Sequence, residues 1–313
     1  MERYISDIST LIGAERLTVA DGKAKGTELI RVYNGKIQLL LVVDQALNIH
    51  RFDYKGITLN FISKNGLVSP NRYNDADVVF GGYFNGGFLY TCGLDNFGEP
   101  KNIDGTDVVQ HGTLSYIPAE NIVTRTYSEN GQYFVSVEGD VKFTRLFGSK
   151  LVLHRKITLG YLSNEVTIED SIANESYTHD KYFLLYHINL GYPLLTEKTV
   201  IESNDIAETK GDDRPDIPDD RFDTMLKPQD GAVETMYYHT MQGSDSEMIV
   251  RNGNLAVKFN VENLPYIMEW KSMVSGDYAL GIEPCNTSYL DMQPTPIDVG
   301  EKHSFKIKVT VEG

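Results

Sequence analysis

Two histidines and one glutamate stand in short motifs that lie far apart in the chain. They are His111 in QHGTLSYIP, His187 in LLYHINLGYP and Glu283 in LGIEPCNTS. A histidine and a carboxylate can supply a proton donor and a proton acceptor that both work near neutral pH, if folding brings them to one substrate. The sequence therefore predicts an acid/base site built from these residues.

His187 lies in a run that reads as a strand. Because alternate side chains of a strand share a face, His187 and Asn189 should point one way and Tyr186 and Ile188 the other. An imidazole and an amide buried without partners are costly, so this polar face lines either a wet cleft or a satisfied hydrogen-bond network. Both a structural histidine and a site histidine fit this pattern.

Glu283 follows an apolar strand end and precedes Pro284, which restricts it to extended conformations. Enclosure of its carboxyl would raise its pKa and make it a better base. The alternative is a structural ion pair with a strand neighbour such as Lys271. At the third motif, Gly112 permits a close approach of the backbone to a ligand, so His111 could donate to a substrate oxygen.

A glycine-rich and aromatic segment covers residues 80–97. It has neither the Gly-Lys-Ser/Thr of a phosphate loop nor a GxGxxG fingerprint. Its paired glycines allow flat rings to form a wall suited to stacking on a sugar; alternatively, Phe84, Phe88 and Tyr90 simply pack into the core.

Motifs of other catalytic classes are missing. There is no HExxH, no GxSxG and no cysteine in an activating context, which argues against zinc peptidases, serine hydrolases and thiol enzymes. No metal or cofactor is expected. A two-carboxylate glycosidase stays open, since the 44 acidic residues select no pair. The remaining histidines lie in charged or exposed-looking surroundings and are expected to lie outside the site: His50, His154, His179, His239 and His303.

Short, often alternating apolar runs must position these residues. The pattern predicts strands at 37–43, 133–137, 150–159, 165–172, 181–190, 255–261 and 304–311. Asn-Gly pairs at 34–35, 65–66, 130–131 and 252–253 predict tight reversals. No long amphipathic helix is evident. We therefore expect an all-β, antiparallel sandwich rather than a parallel βαβ fold.

The segment 208–230 is rich in proline and acids and cannot be a central strand. An extended loop is expected. It either borders the site or is a disordered acidic loop, and the residues it would bring to the site are Asp212, Asp213, Arg214 and Asp216.

Size and charge narrow the function further. The 313 residues suffice for one large domain, 1–313, and the net charge of -15 disfavours nucleic acid or an anionic membrane as partner. The first residues lack the pattern of a secretory signal, and no run is long enough to span a membrane. Cys92 and Cys285 have no metal-type spacing. A cytoplasmic protein with reduced thiols is expected.

With these motifs in this order, the chain resembles the aldose 1-epimerase (galactose mutarotase-like) superfamily, and within it an uncharacterised bacterial branch of aldose-epimerase-related proteins. The resemblance covers most of the chain. It rests on DQALNI at 44–49, TCGLDNFG at 91–98, HG at 111–112, YHINLGYPLL at 186–195, Trp270-Lys271 and GIEP at 281–284.

The resemblance implies a β-supersandwich and a cofactor-independent isomerase that interconverts the anomers of a sugar. It implies that His187 is the general acid at the ring oxygen, that Glu283 is the general base on the anomeric hydroxyl, and that His111 contacts the sugar. His187 stands two residues before Asn189, whereas standard mutarotases place the histidine four before. Both offsets are even and keep one strand face.

The sugar-binding arginine of standard mutarotases has no clear match here. Arg72, Asp95 and Asn96 are candidates for its place, and Asn189 and Lys271 complete the predicted sugar-binding set. Two alternatives remain open: a non-catalytic carbohydrate-binding protein, and an epimerase that acts on a sugar acid or keto sugar. The sequence does not reveal the oligomeric state.

Overall fold

Antiparallel strands dominate the fold. The computed structural model of the chain describes residues 2–72, 80–103, 105–211, 217–242 and 245–313. The strands are β1 Gly13–Thr18, β2 Glu28–Tyr33, β3 Ile37–Val42, β4 Asn48–Tyr54, β5 Ile57–Thr58, β6 Leu89–Leu94, β7 Lys101–Ile103, β8 Thr106–Val108, β9 Glu120–Glu129, β10 Gln132–Thr144, β11 Lys150–Gly160, β12 Glu165–Asn174, β13 Asp180–Leu190, β14 Val200–Ser203, β15 Ala207–Lys210, β16 Thr235–Thr240, β17 Asp245–Asn252, β18 Leu255–Glu262, β19 Tyr266–Val274, β20 Asp277–Cys285, β21 Thr295–Ile297 and β22 Lys302–Glu312.

Helical structure in the described chain is short. One α-helix, α1, spans Phe80–Tyr83, and 3-10 helices span Glu2–Tyr4, Ile8–Thr10, Pro70–Arg72, Leu114–Tyr116 and Tyr289–Asp291. No helix of the described residues is both long and apolar enough to cross a membrane.

All seven predicted strands are confirmed, as β3, β10, β11, β12, β13, β18 and β22. Three of the Asn-Gly pairs close the hairpins β2–β3, β9–β10 and β17–β18, and the glycine of each has a positive φ. The fourth pair, Asn65-Gly66, lies in the long connection from β5 to β6, where Asn65 Nδ2 donates to the carbonyls of Gly81 and Phe84.

Two large sheets pack face to face. The larger has the order β1-β2-β3-β4-β6-β13-β20-β19-β16-β15, with β5 beside β4 and β21 beside β13; the smaller has the order β14-β17-β18-β22-β12-β11-β10-β9. The pairs of named strands are antiparallel, which confirms the predicted β-supersandwich. The main core lies between the sheets and draws apolar side chains from both, among them Leu39, Ile188, Val137 and Val309.

β13 shows the alternation predicted for it. Tyr186 and Ile188 point into the main core, while Leu185 and Phe183 belong to a second apolar cluster on the opposite face of the larger sheet. That cluster also holds Met236, Met268 and Cys285, from the neighbouring strands. The larger sheet is thus apolar on both faces, and the face turned away from the main core carries the candidate site.

A buried ion pair ties the two sheets together behind this face. Arg155 of β11 contacts Asp170 of β12 at 2.7 Å and donates to Thr91 of β6 at 2.9 Å. Tyr186 donates to Asp170 at 2.8 Å. Both partners of the pair are buried, so removal of either would leave an uncompensated charge in the core. These contacts fix β6 and β13 where they flank the site.

The segment 208–230 is mostly a loop, as predicted, but residues 208–210 belong to β15. This strand pairs with β16 at the edge of the larger sheet. A proline-free start explains this edge strand. The candidates Asp212, Asp213, Arg214 and Asp216 lie outside the described residues.

Candidate active site

His187 and Glu283 face each other across adjacent strands. β13 pairs with β20 in a register that sets Leu185 opposite Cys285 and Ile188 opposite Ile282, so His187 and Glu283 lie side by side on one face. His187 Nε2 is 3.1 Å from Glu283 Oε1. Both residues are buried, with 5% and 1% of their surface exposed. Folding therefore brings the two predicted catalytic residues together.

Burial favours the uncharged form of both groups. Burial drives the pKa of His187 well below 6.5, and the nearby His111 adds to this shift, while Asn189 opposes it. Burial raises the pKa of Glu283 well above 4.5, helped by Glu234. Both shifts favour the state in which the imidazole is neutral and the carboxyl keeps its proton, so that the pair carries one transferable proton.

The 3.1 Å approach lacks hydrogen-bond alignment. Glu283 Oε1 and His187 Nδ1 have no hydrogen-bond partner among the described residues. Buried polar atoms are seldom left in this state except where chemistry or a ligand uses them. This observation favours a site over the alternative of a structural histidine.

The backbone around His111 aims its side chain at His187. His111 has a φ of 61°, and its backbone N–H donates to the Gly98 carbonyl at 3.0 Å. The Gly98 N–H in turn donates to His111 Nδ1 at 3.3 Å. Burial lowers the pKa of His111 to about 4, so its ring is neutral and Nε2 carries the proton. The His111 and His187 ring centroids are 5.5 Å apart.

Gly112 allows this loop to close. Its φ is 71°, and a Cβ there would overlap Asp95 Oδ1 and lie 2.6 Å from the carbonyl oxygens of Asn96 and Gly93. Only glycine fits, which is the structural reason for the His-Gly motif.

A cavity of about 540 Å³ opens over the three residues. Aromatic rings form much of its wall: the centroids of Phe84 and Trp270 lie 5.2 and 5.5 Å from that of His187, and that of Phe80 lies 4.7 Å from that of His111. The volume is typical of a small-molecule site. Phe84 lines the cavity, whereas Phe88 and Tyr90 are buried in the apolar clusters.

One ion pair lies among the described lining residues of the cavity. Lys64 is the one lysine or arginine among the described lining residues, and its Nζ is 2.6 Å from Asp277 Oδ2. Glu99 and Glu234 line the cavity as well.

Asp95 and Asn96 lie behind the His111 loop rather than in the cavity. Asp95 accepts from the backbone N–H and the hydroxyl of Thr113, each at 3.0 Å, and contacts Arg145 at 3.2 Å. Asn96 donates to the carbonyls of Glu99 and Val109. Their contacts hold the loop that presents His111. No described contact links them to the cavity.

Asn189 shares the face of His187, as predicted, but is buried beneath the cavity. Its amide donates to the carbonyls of Gly87 and His187 at 3.0 Å each. Arg72 is exposed at the end of a 3-10 helix and is not among the lining residues; its carbonyl accepts from Tyr83.

Lys271 lies on the opposite face of the larger sheet. It contacts Glu269 at 3.1 Å and Asp220 at 3.7 Å, and it donates to the Thr224 carbonyl at 2.8 Å. The ion pair with Glu283 that was the alternative for this glutamate therefore does not form. His239 is also part of this buried group, at 3.1 Å from Glu269. Its surroundings are charged, as expected, and it is not among the residues that line the cavity.

Several lining residues have no individual signal in the sequence: Gln110, Glu234, Met268, Ser272 and Asp277. For two of them a pattern existed. Met268, Trp270 and Ser272 alternate with Glu269 and Lys271 along β19, so the strand period divides them into two faces. Which face meets Glu283 depends on the β19–β20 register, with Met268 opposite Glu283.

Comparison with known proteins places the chain in a family. Residues 24–298 match the model of a family described as a domain of unknown function, DUF4432. The chain belongs to the DUF4432 family. A comparison with curated proteins gave no match.

Solved structures show which fold this DUF4432 chain shares. A candidate aldose 1-epimerase from Klebsiella pneumoniae has a TM-score of 0.88 at 17% identity, over 99% of this chain and 85% of that one. A galactose mutarotase-like protein from Clostridium acetobutylicum has a TM-score of 0.64 at 14% identity, over 97% and 99%. Galactose 1-epimerase from Lactobacillus acidophilus has a TM-score of 0.63 at 11% identity, over 96% and 99%. The galactose mutarotase-like fold is thereby confirmed.

Among the described residues, no three His, Cys, Asp or Glu side chains gather in a way that could hold a metal ion.

Proposed function

We propose that this DUF4432 protein binds a sugar in the cavity and interconverts its anomers, as an aldose 1-epimerase does. The observation that carries the proposal is the buried His187–Glu283 pair at 3.1 Å, beneath an aromatic wall. Two adjacent groups that share one proton are suited to a reaction in which a substrate gives up one proton and gains another.

The reaction begins when a bound sugar brings the pair into hydrogen-bond alignment and the Glu283 proton moves to His187 Nε2, which is 3.1 Å from Oε1. Glu283 then removes the proton from the C1 hydroxyl, the C1–O5 bond breaks, and His187 protonates the ring oxygen. The product is the open aldehyde, and the pair is again neutral, as in the free protein. Rotation about C1–C2 and reclosure by the reverse transfers give the other anomer.

The surrounding side chains have binding roles in this proposal. His111 donates its Nε2 proton to a sugar hydroxyl, because its Nδ1 already accepts from Gly98. Phe84 and Trp270 pack against the apolar face of the ring. Asp95, Asn96 and Asn189 act indirectly by holding the two histidines. The described contacts of Arg72 and Lys271 do not support a sugar-binding role for either residue.

The charges at the mouth favour an uncharged sugar. Lys64, the one lysine or arginine among the described lining residues, is engaged by Asp277, and Glu99 would repel an anion. This argues against the alternative of a sugar acid, and against a phosphosugar, as the substrate.

The test is an NMR exchange screen across free aldoses, uronates and ketoses, with anomer exchange as the readout. Each positioned acid or base contributes roughly 10²–10⁴ in rate, so Glu283→Gln and His187→Asn should each lower the exchange rate by at least about 10². Both variants should remain folded. Full activity in both would refute the assignment, and saturable binding without exchange by the native protein would indicate a carbohydrate-binding protein.

A further inference from the structure

Gly281 occupies the middle of β20 although its backbone conformation does not require glycine. It is absent from the residues with positive φ, and it lies in regular register opposite Trp270 on one side and Asn189 on the other. Glycine in a strand interior weakens the strand and packs nothing. The reason for glycine must therefore lie in what surrounds it.

The space beside Gly281 is filled by the carboxyl of Glu283. A Cβ built on Gly281 would overlap Glu283 Oε1 and lie 3.2 Å from both Cβ and Cε3 of Trp270. Residues 281 and 283 share a strand face, so the glutamate side chain folds back along its own strand over the Gly281 Cα. Oε1 is also the atom 3.1 Å from His187 Nε2.

We propose that Gly281 is a positioning residue that leaves room for the Glu283 carboxyl beside His187. A methyl group at 281 would displace Oε1, and the burial of Glu283 limits the positions that the carboxyl can take instead. The catalytic consequence rests on the proposed function, whereas the contact itself does not.

A stability cycle tests the contact without reference to activity. The four proteins are the native chain, Gly281→Ala, Glu283→Ala and the double variant, compared by denaturant unfolding. We expect Gly281→Ala to lower the unfolding midpoint when Glu283 is present and to lower it far less when residue 283 is alanine. An equal loss in both backgrounds would mean that packing against Trp270 requires the glycine, and would overturn the proposal.

The exchange reaction tests the consequence for catalysis. Gly281→Ala should lower kcat on the order of 10²-fold, since a misplacement of about 1 Å costs that much, and should leave KM within about twofold. The control is Gly160→Ala in β11, where a Cβ would first meet the flexible end of Gln132 at 3.3 Å. That variant should retain native kcat. Native kcat in Gly281→Ala would contradict the proposal.

The two tests separate this inference from the proposed function. If no aldose undergoes accelerated exchange with the native protein, the proposed function fails while the stability cycle still decides whether Glu283 requires Gly281. If exchange is found and the cycle shows no coupling, the positioning role of Gly281 is refuted while the proposed function stands.

Discussion

A protonated carboxyl beside a neutral imidazole differs from an ion pair in that neither group is charged before the substrate binds. In the proposed reaction, transfer of one proton from Glu283 to His187 would create the charged form that ring opening uses, and ring opening would then restore the neutral form. The shielded environment that suppresses both charges also strengthens their attraction once they form. Burial is therefore compatible with a catalytic role for the pair.

The displaced pKa values predict an unusual pH profile. Burial lowers the pKa of His187 and raises that of Glu283, so His187 does not gain its second proton near pH 6.5, the ordinary value for histidine. We expect kcat/KM for anomer exchange to pass through pH 6.5 without an inflection.

The measurement is the initial exchange rate at low sugar concentration at a series of pH values on both sides of 6.5. Glu283→Gln, whose amide does not titrate, serves as the comparison for any residual rate. An inflection near pH 6.5 in the native profile would show that His187 titrates as an ordinary, hydrated histidine.

At this scale the sequence predicted that His187 and Glu283 would lie together better than it predicted the contacts of their neighbours. His187 and Asn189 share a face because strand alternation requires it. Lys271 was misleading, because one residue along β19 reverses the side of the sheet, and the register that decides this is formed between strands. Asp95 and Asn96 lie close to His111 in space yet contact its loop from behind.

At the scale of elements, the cavity lies between a loop and a hairpin. Lys64 belongs to the loop that follows β5, and Asp277 begins β20 just after the β19–β20 turn; their ion pair spans the mouth. The partners are partly exposed, at 73% and 31% for their side chains, so the pair contributes little to stability. The pair can still affect which ligands bind, because it sets the local charge that an anionic ligand meets.

Asp277→Asn should relax discrimination against anionic sugars. The substitution frees Lys64 and removes one negative charge, so the affinity ratio of a uronate to its parent aldose should rise roughly two- to fivefold at low salt, the range for exposed ion pairs. The ratio should fall back as salt is added.

Calorimetric titration of both sugars measures this ratio. Glu120→Gln is the matched control, because it removes the same charge from an exposed pair with Lys142 on the smaller sheet. An unchanged ratio in Asp277→Asn, or an equal rise in both variants, would contradict the role assigned to Asp277.

Strands were predictable from sequence because each needs only its own alternation and a turn. Their order was not. β13 lies between β6 and β20, which are about a hundred residues away on either side of it in the chain, and no local pattern specifies those partners.

At the scale of the whole molecule, a second set of buried charges joins the larger sheet to the loop that follows residue 216. His239 lies between Glu269 and Asp205, at 3.1 and 3.2 Å, and Lys271 joins Glu269 to Asp220. Burial lowers the pKa of His239, but its hydrogen bonds and charge interactions with Glu269 and Asp205 outweigh this and raise it above 6.5.

The raised pKa of His239 predicts how stability depends on pH. The folded protein holds this proton more tightly than the unfolded chain, so the stabilisation is complete below pH 6.5 and is lost as pH rises through the folded pKa. Urea unfolding of the native protein and of His239→Asn should therefore differ most at acid pH and converge at alkaline pH.

His179→Asn is the control, because the His179 side chain is 81% exposed. It should follow the native pH dependence. The difference between native protein and variant also removes the contributions of His50 and His111, whose pKa values burial lowers to about 4. A constant difference between native protein and His239→Asn across pH would refute the assignment.

Trp270 has a consequence for how this protein can be studied. It is the single tryptophan of the sequence, and its ring centroid lies 5.5 Å from that of His187 in the cavity wall. Indole fluorescence, excited where tyrosine does not absorb, therefore reports on one location in the molecule. Occupancy of the cavity and the charge on the adjacent imidazole both alter that emission, so the unlabelled native chain carries its own optical sensor for ligands.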